Sequence, residues 1–409
     1  MSIKTAFHSH IWRRLPHGLR REALFRVAGM IAPRPALDAP GLGPIFVAGA
    51  LRTASGLGEA ARLSYQALRR SGFDVCGVDL TAALMQREDK PDFAFSDGAG
   101  HEGPGVVLLH VNGPVTPLAM LRLGRRFVTG KRIVGWWAWE LPRVPDDWRH
   151  GLPFVHEVWT LSDFTADALA QLDGRRPPTL PPPCAMDVVA APHPLRAPDD
   201  PFRALTIFNV ASSFARKNPF AAIRAFRAAF GDDPSVRLTL KLANPTAAAE
   251  FSGLLAREIA GLGNVEVIDK TLSSADLAQL YDRSDVLVSL HRAEGFGLTL
   301  AEAMARGLPA VATDWSGSTD FLSETTGIPI PYRLTPAIDS QDTYNHPDML
   351  WAEANVEAAA EALRRLRDDP ALARRLGEGG AAYARAHWTA ATYAARVRSL
   401  LGRWEGAHG

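Results

Sequence analysis

The segment from Asp285 to Asp314, DVLVSLHRAEGFGLTLAEAMARGLPAVATD, constrains the fold more than any other part of the sequence. An apolar run at 286–290 is followed by a glycine-containing loop, and a helical pattern then begins near Leu298 and ends at Gly307, a common helix-ending residue. A second apolar run occupies 309–313. This order predicts a parallel βαβ unit, and such sheets bind ligands at the carboxyl ends of their strands.

Two glutamates in this segment, Glu294 and Glu302, are candidate site residues. On one continuous helix they would lie about 80° apart around the axis. With Glu294 in the loop and Glu302 in the first helical turns, both side chains can face one cleft. The amides of Phe296, Gly297 and Leu298 lie at a helix N-terminus, which predicts an anion and hydroxyl site. The spacing alone is also compatible with one glutamate in an exposed loop and the other on a helix surface, which is the alternative.

This arrangement resembles the donor-binding motif of family-4 retaining glycosyltransferases, two glutamates separated by seven residues with E-G-F-G-L between them. The resemblance covers most of the chain and is strongest from 203 to 325. It implies an α/β chain with the GT-B fold, two Rossmann-like domains with parallel sheets facing across a cleft. It also implies that Glu294 contacts the hydroxyls of the donor sugar and that Glu302 holds the nucleotide ribose.

The same resemblance assigns donor-binding roles to the loop between the glutamates. Backbone amides there would contact the sugar and phosphate, and Thr299 would lie beside the phosphate. The donor-binding residues expected in this segment are Gly295, Phe296, Gly297, Leu298, Thr299 and Glu302.

A glycine-containing turn follows the first predicted strand, Pro44–Ala50, and precedes a helical pattern at 59–70. Such a turn lets the backbone approach a pyrophosphate closely. Its position matches the glycine loop of the first domain in the resembled family, so we expect Gly56 and Gly58 to bind the donor. A tight turn without a ligand is the alternative.

His110 lies at the carboxyl end of the predicted strand 105–111. In the resembled family, a histidine at the end of such a strand lies beneath the donor sugar. We therefore expect His110 to be catalytic together with Glu294, facing the positive charge that develops at the anomeric carbon. A histidine satisfied inside the fold is the alternative.

Lys217 lies between a predicted strand, 203–210, and a helix that begins at Pro219. A lysine at such a junction can pair with phosphate as a point charge. The resembled family places an arginine and a lysine here to neutralise the departing diphosphate. Lys217 matches the lysine, whereas the arginine would fall near Ser212, which is not basic. Either Arg216 supplies this charge from a different direction, or another part of the chain supplies it.

The segment KRIVGWWAWELP at 131–142 is rich in tryptophan and contains one carboxylate. Aromatic faces stack on sugars and a carboxylate accepts hydroxyl hydrogen bonds, so Trp137 and Glu140 are candidate acceptor residues. Core packing is the alternative for the tryptophans, because aromatic side chains bury large apolar areas. A similar W-E-L segment occurs in some bacterial polysaccharide glycosyltransferases.

A chain of 409 residues predicts two or three domains. We expect a polar loop at 329–349 and four parts: a basic arm (1–40), a Rossmann-like acceptor domain (41–200), a Rossmann-like nucleotide-sugar donor domain (201–386) and a helix that crosses back to the first domain (387–409).

The basic arm carries seven basic residues and one acidic residue within 1–34, interspersed with apolar residues. This pattern predicts either a helix on an anionic membrane surface or a solvated arm packed on its own domain. The net charge of +1 gives no reason to expect a nucleic-acid partner, and two cysteines provide no disulfide framework. No apolar run approaches the ~20 residues that span a bilayer. We therefore expect a cytoplasmic protein, peripheral at the inner face of the cell membrane if the arm binds lipid.

The resemblance implies transfer of a hexose, with mannose or glucose expected, from a GDP- or UDP-linked donor to a hydroxyl of a glycan or lipid-linked acceptor, with retention. Polysaccharide or lipopolysaccharide assembly is the expected setting. The sequence contains no Asp-x-Asp motif and no His/Cys cluster with ligand spacing, so we expect neither a metal nor another cofactor. The alternatives are a nucleotide-sugar epimerase and a catalytically silent donor-binding subunit.

Overall fold

The computed structural model describes residues 27–186, 193–194, 196–197 and 199–405. The chain divides into two compact units. Among the described residues, the first unit contains those up to Trp137, Pro145–Trp159 and those from Ser399 onward, and the second contains Ala138–Val144 and those from Thr160 to Arg398. Most of the predicted basic arm (1–26) and a short stretch of the predicted acceptor domain (187–192) lie outside the described residues.

The first unit is built on a five-stranded sheet with the order β2-β1-β3-β4-β5. Strand β1 pairs in parallel with β2 and β3, and β3 pairs in parallel with β4. Every residue of β3, GVVLLH, is buried, as expected for a parallel strand that is covered on both faces. The elements are β1 (Ile45–Gly49), α1 (Gly56–Arg70), β2 (Val75–Asp79), β3 (Gly105–His110), α2 (Thr116–Val128), β4 (Lys131–Trp137) and β5 (Glu157–Thr160).

The second unit contains a six-stranded sheet with the order β11-β10-β9-β6-β7-β8. Its neighbouring strands pair in parallel. The first half of its elements are α3 (Asp163–Asp173), β6 (Phe202–Asn209), α4 (Phe214–Lys217), α5 (Pro219–Phe230), β7 (Val236–Ala243), α6 (Phe251–Ile259), β8 (Val265–Ile268) and α7 (Ser274–Asp282). The second half are β9 (Val286–Ser289), α8 (Leu298–Ala305), β10 (Ala310–Thr313), β11 (Ile328–Ile330), β12 (Tyr332–Pro336), β13 (Leu350–Ala354), α9 (Val356–Asp368) and α10 (Pro370–His387). The last helix, α11 (Ala390–Glu405), begins in this unit and continues into the first from Ser399.

The βαβ unit predicted between Asp285 and Asp314 is confirmed as β9, α8 and β10, with β9 and β10 parallel. Helix α8 ends where Arg306 caps it, and Gly307 follows with φ 72°. That left-handed conformation suits glycine because it has no Cβ.

The prediction of a polar loop at 329–349 is wrong for residues 329–336, most of which form strands. Strand β11 joins the edge of the sheet, and β12 pairs antiparallel with β13. Proline at 329, 331 and 336 argues against a strand in the sequence, but proline is compatible with an edge strand. Strand β12 has mostly exposed side chains, so its sequence lacks the alternation of buried apolar residues that would predict a strand. Only residues 337–349 form the connecting loop.

Candidate functional site

The sheet of the second unit changes direction between β6 and β9. The chain builds β6, β7 and β8 outward on one side, then returns to place β9 on the other side of β6. Ligands bind outside the carboxyl ends of parallel strands at such a switch point. Lys217 follows the carboxyl end of β6, and Glu294 follows that of β9. The topology therefore brings these two predicted residues to one edge of the sheet.

The backbone of Glu294 is fixed by the segment that follows β10. Its amide donates to Ser316 Oγ at 2.7 Å, and the Gly317 amide donates to its carbonyl at 2.9 Å. A Cβ at Gly317 would lie 2.0 Å from the carbonyl oxygen of Gly295, so only glycine fits there. These contacts hold the loop between β9 and α8 in one position.

The carboxylate of Glu294 binds two cations. Lys217 Nζ lies 2.5 Å from one oxygen, and Arg216 Nη1 lies 3.2 Å from the other. The Glu294 side chain is only 10% exposed. Burial alone would raise the pKa of Glu294, but Lys217 and Arg216 outweigh it and lower that pKa to about 2. The carboxylate is therefore ionised at neutral pH.

The guanidinium of Arg216 lies at the centre of this cluster. It donates to the carbonyls of Ala293 at 2.6 Å and Ser212 at 3.1 Å, and it lies 3.9 Å from Glu140. Burial disfavours its charge, but Tyr344, Glu294 and Glu140 raise the pKa of Arg216 above its ordinary value. The Arg216 guanidinium thus reaches back to the carbonyl of Ser212, the position at which the sequence lacks a basic residue.

Two left-handed residues set the direction of Arg216 and Lys217. Ser213 (φ 61°) and Asn218 (φ 49°) flank the single helical turn α4. The Ser213 hydroxyl accepts from the Arg216 amide at 3.2 Å and donates to Asp339 Oδ1 at 2.8 Å. The turn is therefore capped at its start and anchored to the 337–349 loop.

Burial lowers the pKa of Lys217, although the carboxylate of Glu294 acts in the opposite direction. Its side chain remains 19% exposed. A cation that still reaches solvent can accept a second anionic partner, whereas Arg216 is enclosed.

Tyr344 and Glu140 complete the cluster and were not connected by sequence reasoning. The Tyr344 hydroxyl donates to Glu140 at 3.0 Å, and the Arg216 guanidinium lies 5.5 Å from the Tyr344 ring centre. The Trp139 ring packs beside Tyr344 at 5.5 Å. Because Glu140 and Tyr344 are 204 positions apart, no local pattern indicates the contact.

Glu302 lies in the second turn of α8 and accepts a hydrogen bond from the Tyr281 hydroxyl at 2.8 Å. Burial and the nearby Glu302 charge raise the pKa of Tyr281 well above its ordinary value, so Tyr281 remains a donor. Sequence reasoning missed Tyr281, although its position on α7 is compatible with a contact to the following helix.

The glycine loop before α8 offers backbone rather than side chains. Gly297 caps the helix with φ 99° and no side-chain cap, and the first-turn amides at Leu298 and Thr299 have no preceding helical carbonyl. The Phe296 ring is buried against Phe321 and Trp388. Gly295 contributes its carbonyl to the Ser162 hydroxyl at 2.6 Å.

His110, in the first unit, is the last residue of β3 and is 2% exposed. Neither ring nitrogen has a hydrogen-bond partner among the described residues, and the ring packs on Trp136 at 4.7 Å. Burial lowers the pKa of His110 to about 3, so the imidazole is neutral at physiological pH. A neutral buried imidazole without a partner is an unusual feature in a folded protein.

The glycine turn of the first unit begins helix α1 at Gly56. A Cβ at Gly58 would lie 2.6 Å from the carbonyl oxygen of Thr53, so this glycine is required for packing. The amides of Leu51 and Ala54 already donate to Asp79 and Asp89. Space for a phosphate on this turn is therefore limited to the start of the helix.

Trp137 is fully buried at the end of β4, edge-on to Trp148. Its ring has no free face for a sugar in this structure, so Glu140 alone remains a candidate acceptor residue. Among the described residues, no group of three His, Cys, Asp or Glu side chains could hold a metal ion. No helix in the described part of the chain is both long and apolar enough to cross a membrane.

Taken together, the second unit holds two cations, a buried ionised carboxylate and an open helix N-terminus at one sheet edge. Cations and helix amides bind phosphate, and an ionised carboxylate accepts hydrogen bonds from hydroxyls. The arrangement is suited to a ligand that carries both a phosphate group and a polyol.

The family model GT4-conflict, described as Family 4 Glycosyltransferase in conflict systems, matches residues 161–398, more than half of the chain. A comparison with curated protein sequences finds no match.

Several solved structures share the fold. Sucrose-phosphate synthase from Thermosynechococcus elongatus is 17% identical with a TM-score of 0.62, and the match covers 90% of this chain and 100% of that one. Anabaena HepE, in complex with UDP and glucose, is 13% identical with a TM-score of 0.61 over 88% of this chain and 99% of that one. The two parallel α/β units match the GT-B fold of these neighbours, as expected.

A further similar structure is a mutant of S. aureus TarM in complex with fondaparinux, α-GlcNAc-glycerol and UDP. It is 14% identical with a TM-score of 0.54 over 73% of this chain. The present chain spans about half of its length, 55%.

Proposed function

Because the chain belongs to the GT4-conflict family, the family 4 glycosyltransferases of conflict systems, we propose that it transfers a sugar from a nucleotide-diphosphate donor to an acceptor hydroxyl with retention. The observation that carries this proposal is the buried pairing of Glu294 with Lys217 and Arg216 at the switch point of the sheet. In the proposed role, Glu294 contacts the hydroxyls of the donor sugar. Glu302, held by Tyr281, binds the nucleotide ribose.

In this proposal, Lys217 and the amides of Phe296, Gly297 and Leu298 bind the diphosphate. A helix N-terminus contributes about 0.3–1 kcal/mol toward an anion, and up to ~2 in a partly buried site, so a cation is also needed. Without donor, Glu294 keeps Lys217 oriented. When donor binds, the diphosphate becomes a new partner of Lys217, and a sugar hydroxyl becomes a new partner of Glu294. The buried Arg216 keeps Glu294 ionised.

The chemical step follows from the same roles. The acceptor oxygen forms a bond to the anomeric carbon as the bond from that carbon to the phosphate oxygen breaks. The acceptor proton moves to the departing phosphate oxygen, so no carboxylate base is required. The neutral His110 is proposed to stabilise the charge at the anomeric carbon, and Gly56 and Gly58 to shape the donor-facing turn.

The donor sugar is proposed to be glucose or mannose, carried by UDP or GDP. The occurrence of UDP in the TarM and HepE structures supports placing UDP donors first in a panel. The acceptor is proposed to be a glycan or lipid-linked sugar in polysaccharide assembly, with Glu140 as an acceptor residue.

The test is incubation with a panel of radiolabelled UDP- and GDP-sugars without acceptor. Slow release of nucleoside diphosphate and free sugar supports the transferase. Inversion at C2 would instead indicate an epimerase, and saturable binding without turnover would indicate a silent donor-binding subunit.

A peripheral membrane position is proposed for the predicted basic arm. Five exposed apolar side chains lie between residues 27 and 42, at the carboxyl end of that arm, which supports an apolar contact surface beside the arm's positive charge. Sedimentation with phosphatidylglycerol vesicles, but not with phosphatidylcholine vesicles, is the expected result. Equal behaviour with both lipids would leave the arm with no membrane role. The five side chains are Val27, Met30, Ile31, Leu37 and Leu42.

A further inference from the structure

The loop at 337–349 contacts the single helical turn α4, which carries Arg216 and Lys217. Both segments belong to the second unit. Asp339, near the start of the loop, is only 1% exposed, which is unusual for an aspartate. The roles proposed for the donor site do not use Asp339, so its burial has no explanation there.

The Asp339 carboxylate organises the loop and also reaches the α4 turn. Its Oδ1 accepts from the Ser213 hydroxyl at 2.8 Å and from the Gln341 amide at 3.1 Å, and its Oδ2 accepts from the Thr343 amide at 3.0 Å. The Asn345 side chain pairs with the backbone amide and carbonyl of Asp339, both at 2.7 Å. One side chain therefore fixes the shape of the loop and joins the loop to the turn.

Only a carboxylate satisfies all three donors to Asp339. An asparagine has one acceptor oxygen, and its amide group donates. In either orientation, that amide group would face a backbone N–H, either that of Gln341 or that of Thr343. Hydrogen bonds to a charged acceptor are shorter and stronger than neutral ones, so the carboxylate holds the Ser213 hydroxyl firmly.

The contacts of the loop converge on Arg216. The Ser213 hydroxyl, which donates to Asp339, accepts from the Arg216 amide at 3.2 Å. The Phe214 amide, at the first residue of α4, donates to Gln341 Oε1 at 2.9 Å. The Tyr344 ring centre lies 5.5 Å from the Arg216 guanidinium. The loop thus contacts both the backbone of the turn and the guanidinium that the turn presents.

We propose that Asp339 is a positioning residue for the donor site, acting through the α4 turn rather than on the donor itself. Through Ser213 it fixes the direction of Arg216 and Lys217. Arg216 lies 3.2 Å from Glu294, and Lys217 is the last residue of the turn. A change in the turn therefore weakens the pairing of Glu294 and displaces the proposed phosphate-binding cation. The second effect rests on the proposed function, whereas the first does not.

Urea unfolding tests the first effect without any nucleotide. The difference in unfolding midpoint between Glu294→Gln and its parent measures what the Glu294 carboxylate contributes. In the Asp339→Asn background this difference is expected to fall by at least about half, because neighbouring groups in one network are coupled. General destabilisation would shift both midpoints together and leave the difference unchanged.

Asp342→Asn is the matched control, because Asp342 lies exposed in the same loop and accepts from the Asn345 side chain at 3.2 Å. It is expected to leave the midpoint difference unchanged. Ser213→Ala removes the hydroxyl that joins the turn to Asp339 and keeps the hydrogen bonds within the loop. It is expected to reduce the difference, and it decides the question if Asp339→Asn does not fold. An undiminished difference in either folded variant would overturn the proposal.

Equilibrium binding of UDP and GDP tests the second effect. Asp339→Asn and Ser213→Ala are each expected to weaken nucleotide binding by at least about threefold, but to leave it almost unchanged in a Lys217→Met background. Arg375→Ala is the control for the charge lost at Lys217, because Arg375 is an exposed cation on α10. Equal weakening in both backgrounds, or none in either, would overturn the proposal. No nucleotide binding by wild type would instead refute the proposed function, and the unfolding experiment would still decide the positioning.

Discussion

Replacing Glu294 by Gln removes the negative charge from the cluster and keeps the side-chain shape. Lys217 then loses the carboxylate that it pairs with, and Arg216 keeps only the more distant contact with Glu140, at 3.9 Å, among the ion pairs of the described residues. The pKa of Glu294 is about 2 in the folded chain, whereas the ordinary pKa of a glutamate side chain is 4.5. By linkage this difference corresponds to about 3 kcal/mol of stability at neutral pH.

The pH dependence of this contribution has a definite sign. The pKa of Glu294 is lower in the folded chain, so the contribution is fully present above about pH 4.5 and is lost as the pH falls toward about 2. The gap in unfolding free energy between wild type and Glu294→Gln is therefore expected to narrow by about 2 kcal/mol between pH 7 and pH 3.

Urea unfolding followed by tryptophan fluorescence at several pH values measures this gap. Glu361→Gln is the matched control, because Glu361 pairs with Arg364 on the surface and is 60% exposed. An exposed pair contributes at most about 1 kcal/mol. A gap for Glu294→Gln that is no larger than the control's, or that stays constant with pH, would refute the electrostatic account of the cluster.

Three further predictions concern residues around the proposed donor site. Tyr281→Phe removes the hydrogen bond to Glu302 and is expected to raise the KM for the donor by about tenfold with little change in kcat; a fall in kcat alone would contradict this. Gly317→Ala brings a Cβ to 2.0 Å from the Gly295 carbonyl oxygen and is expected to lower the melting temperature and donor affinity together; an unchanged melting curve would show that the loop can adjust. His110 is expected to stay neutral down to about pH 4 in a ¹⁵N NMR titration, because its pKa is about 3; protonation near pH 6 would contradict its burial.

Much of the second unit follows from local sequence patterns. The apolar runs and glycines between Asp285 and Asp314 predict β9, α8 and β10 because each pattern is contained within a few residues. Lys217 is predicted by its place between a strand and a helix. Glu294 is predicted as a site residue because the glycines of its loop have no side chains. The loop therefore offers a ligand only its backbone and one charged side chain.

The remaining features depend on contacts between distant parts of the chain. Tyr344 reaches Glu140 across 204 positions, and a loop anchored by Asp339 sets its position. The hairpin of β12 and β13 has exposed side chains and flanking prolines, so neither periodicity nor composition predicts it. The buried partners of Arg216 also come from separate segments of the chain. The position of Arg216 beside Lys217 in the sequence does not indicate the direction of its side chain.

The most direct test of the central claim is equilibrium binding of UDP and GDP to wild type and to Lys217→Met, with Arg375→Ala as the control. The account predicts that at least one nucleoside diphosphate binds wild type and the control equally, and that Lys217→Met binds it at least about tenfold more weakly because one charged phosphate contact is lost. Equal affinity in all three proteins, or no binding of either nucleotide, would contradict the claim that Lys217 and Glu294 form a nucleotide-sugar site.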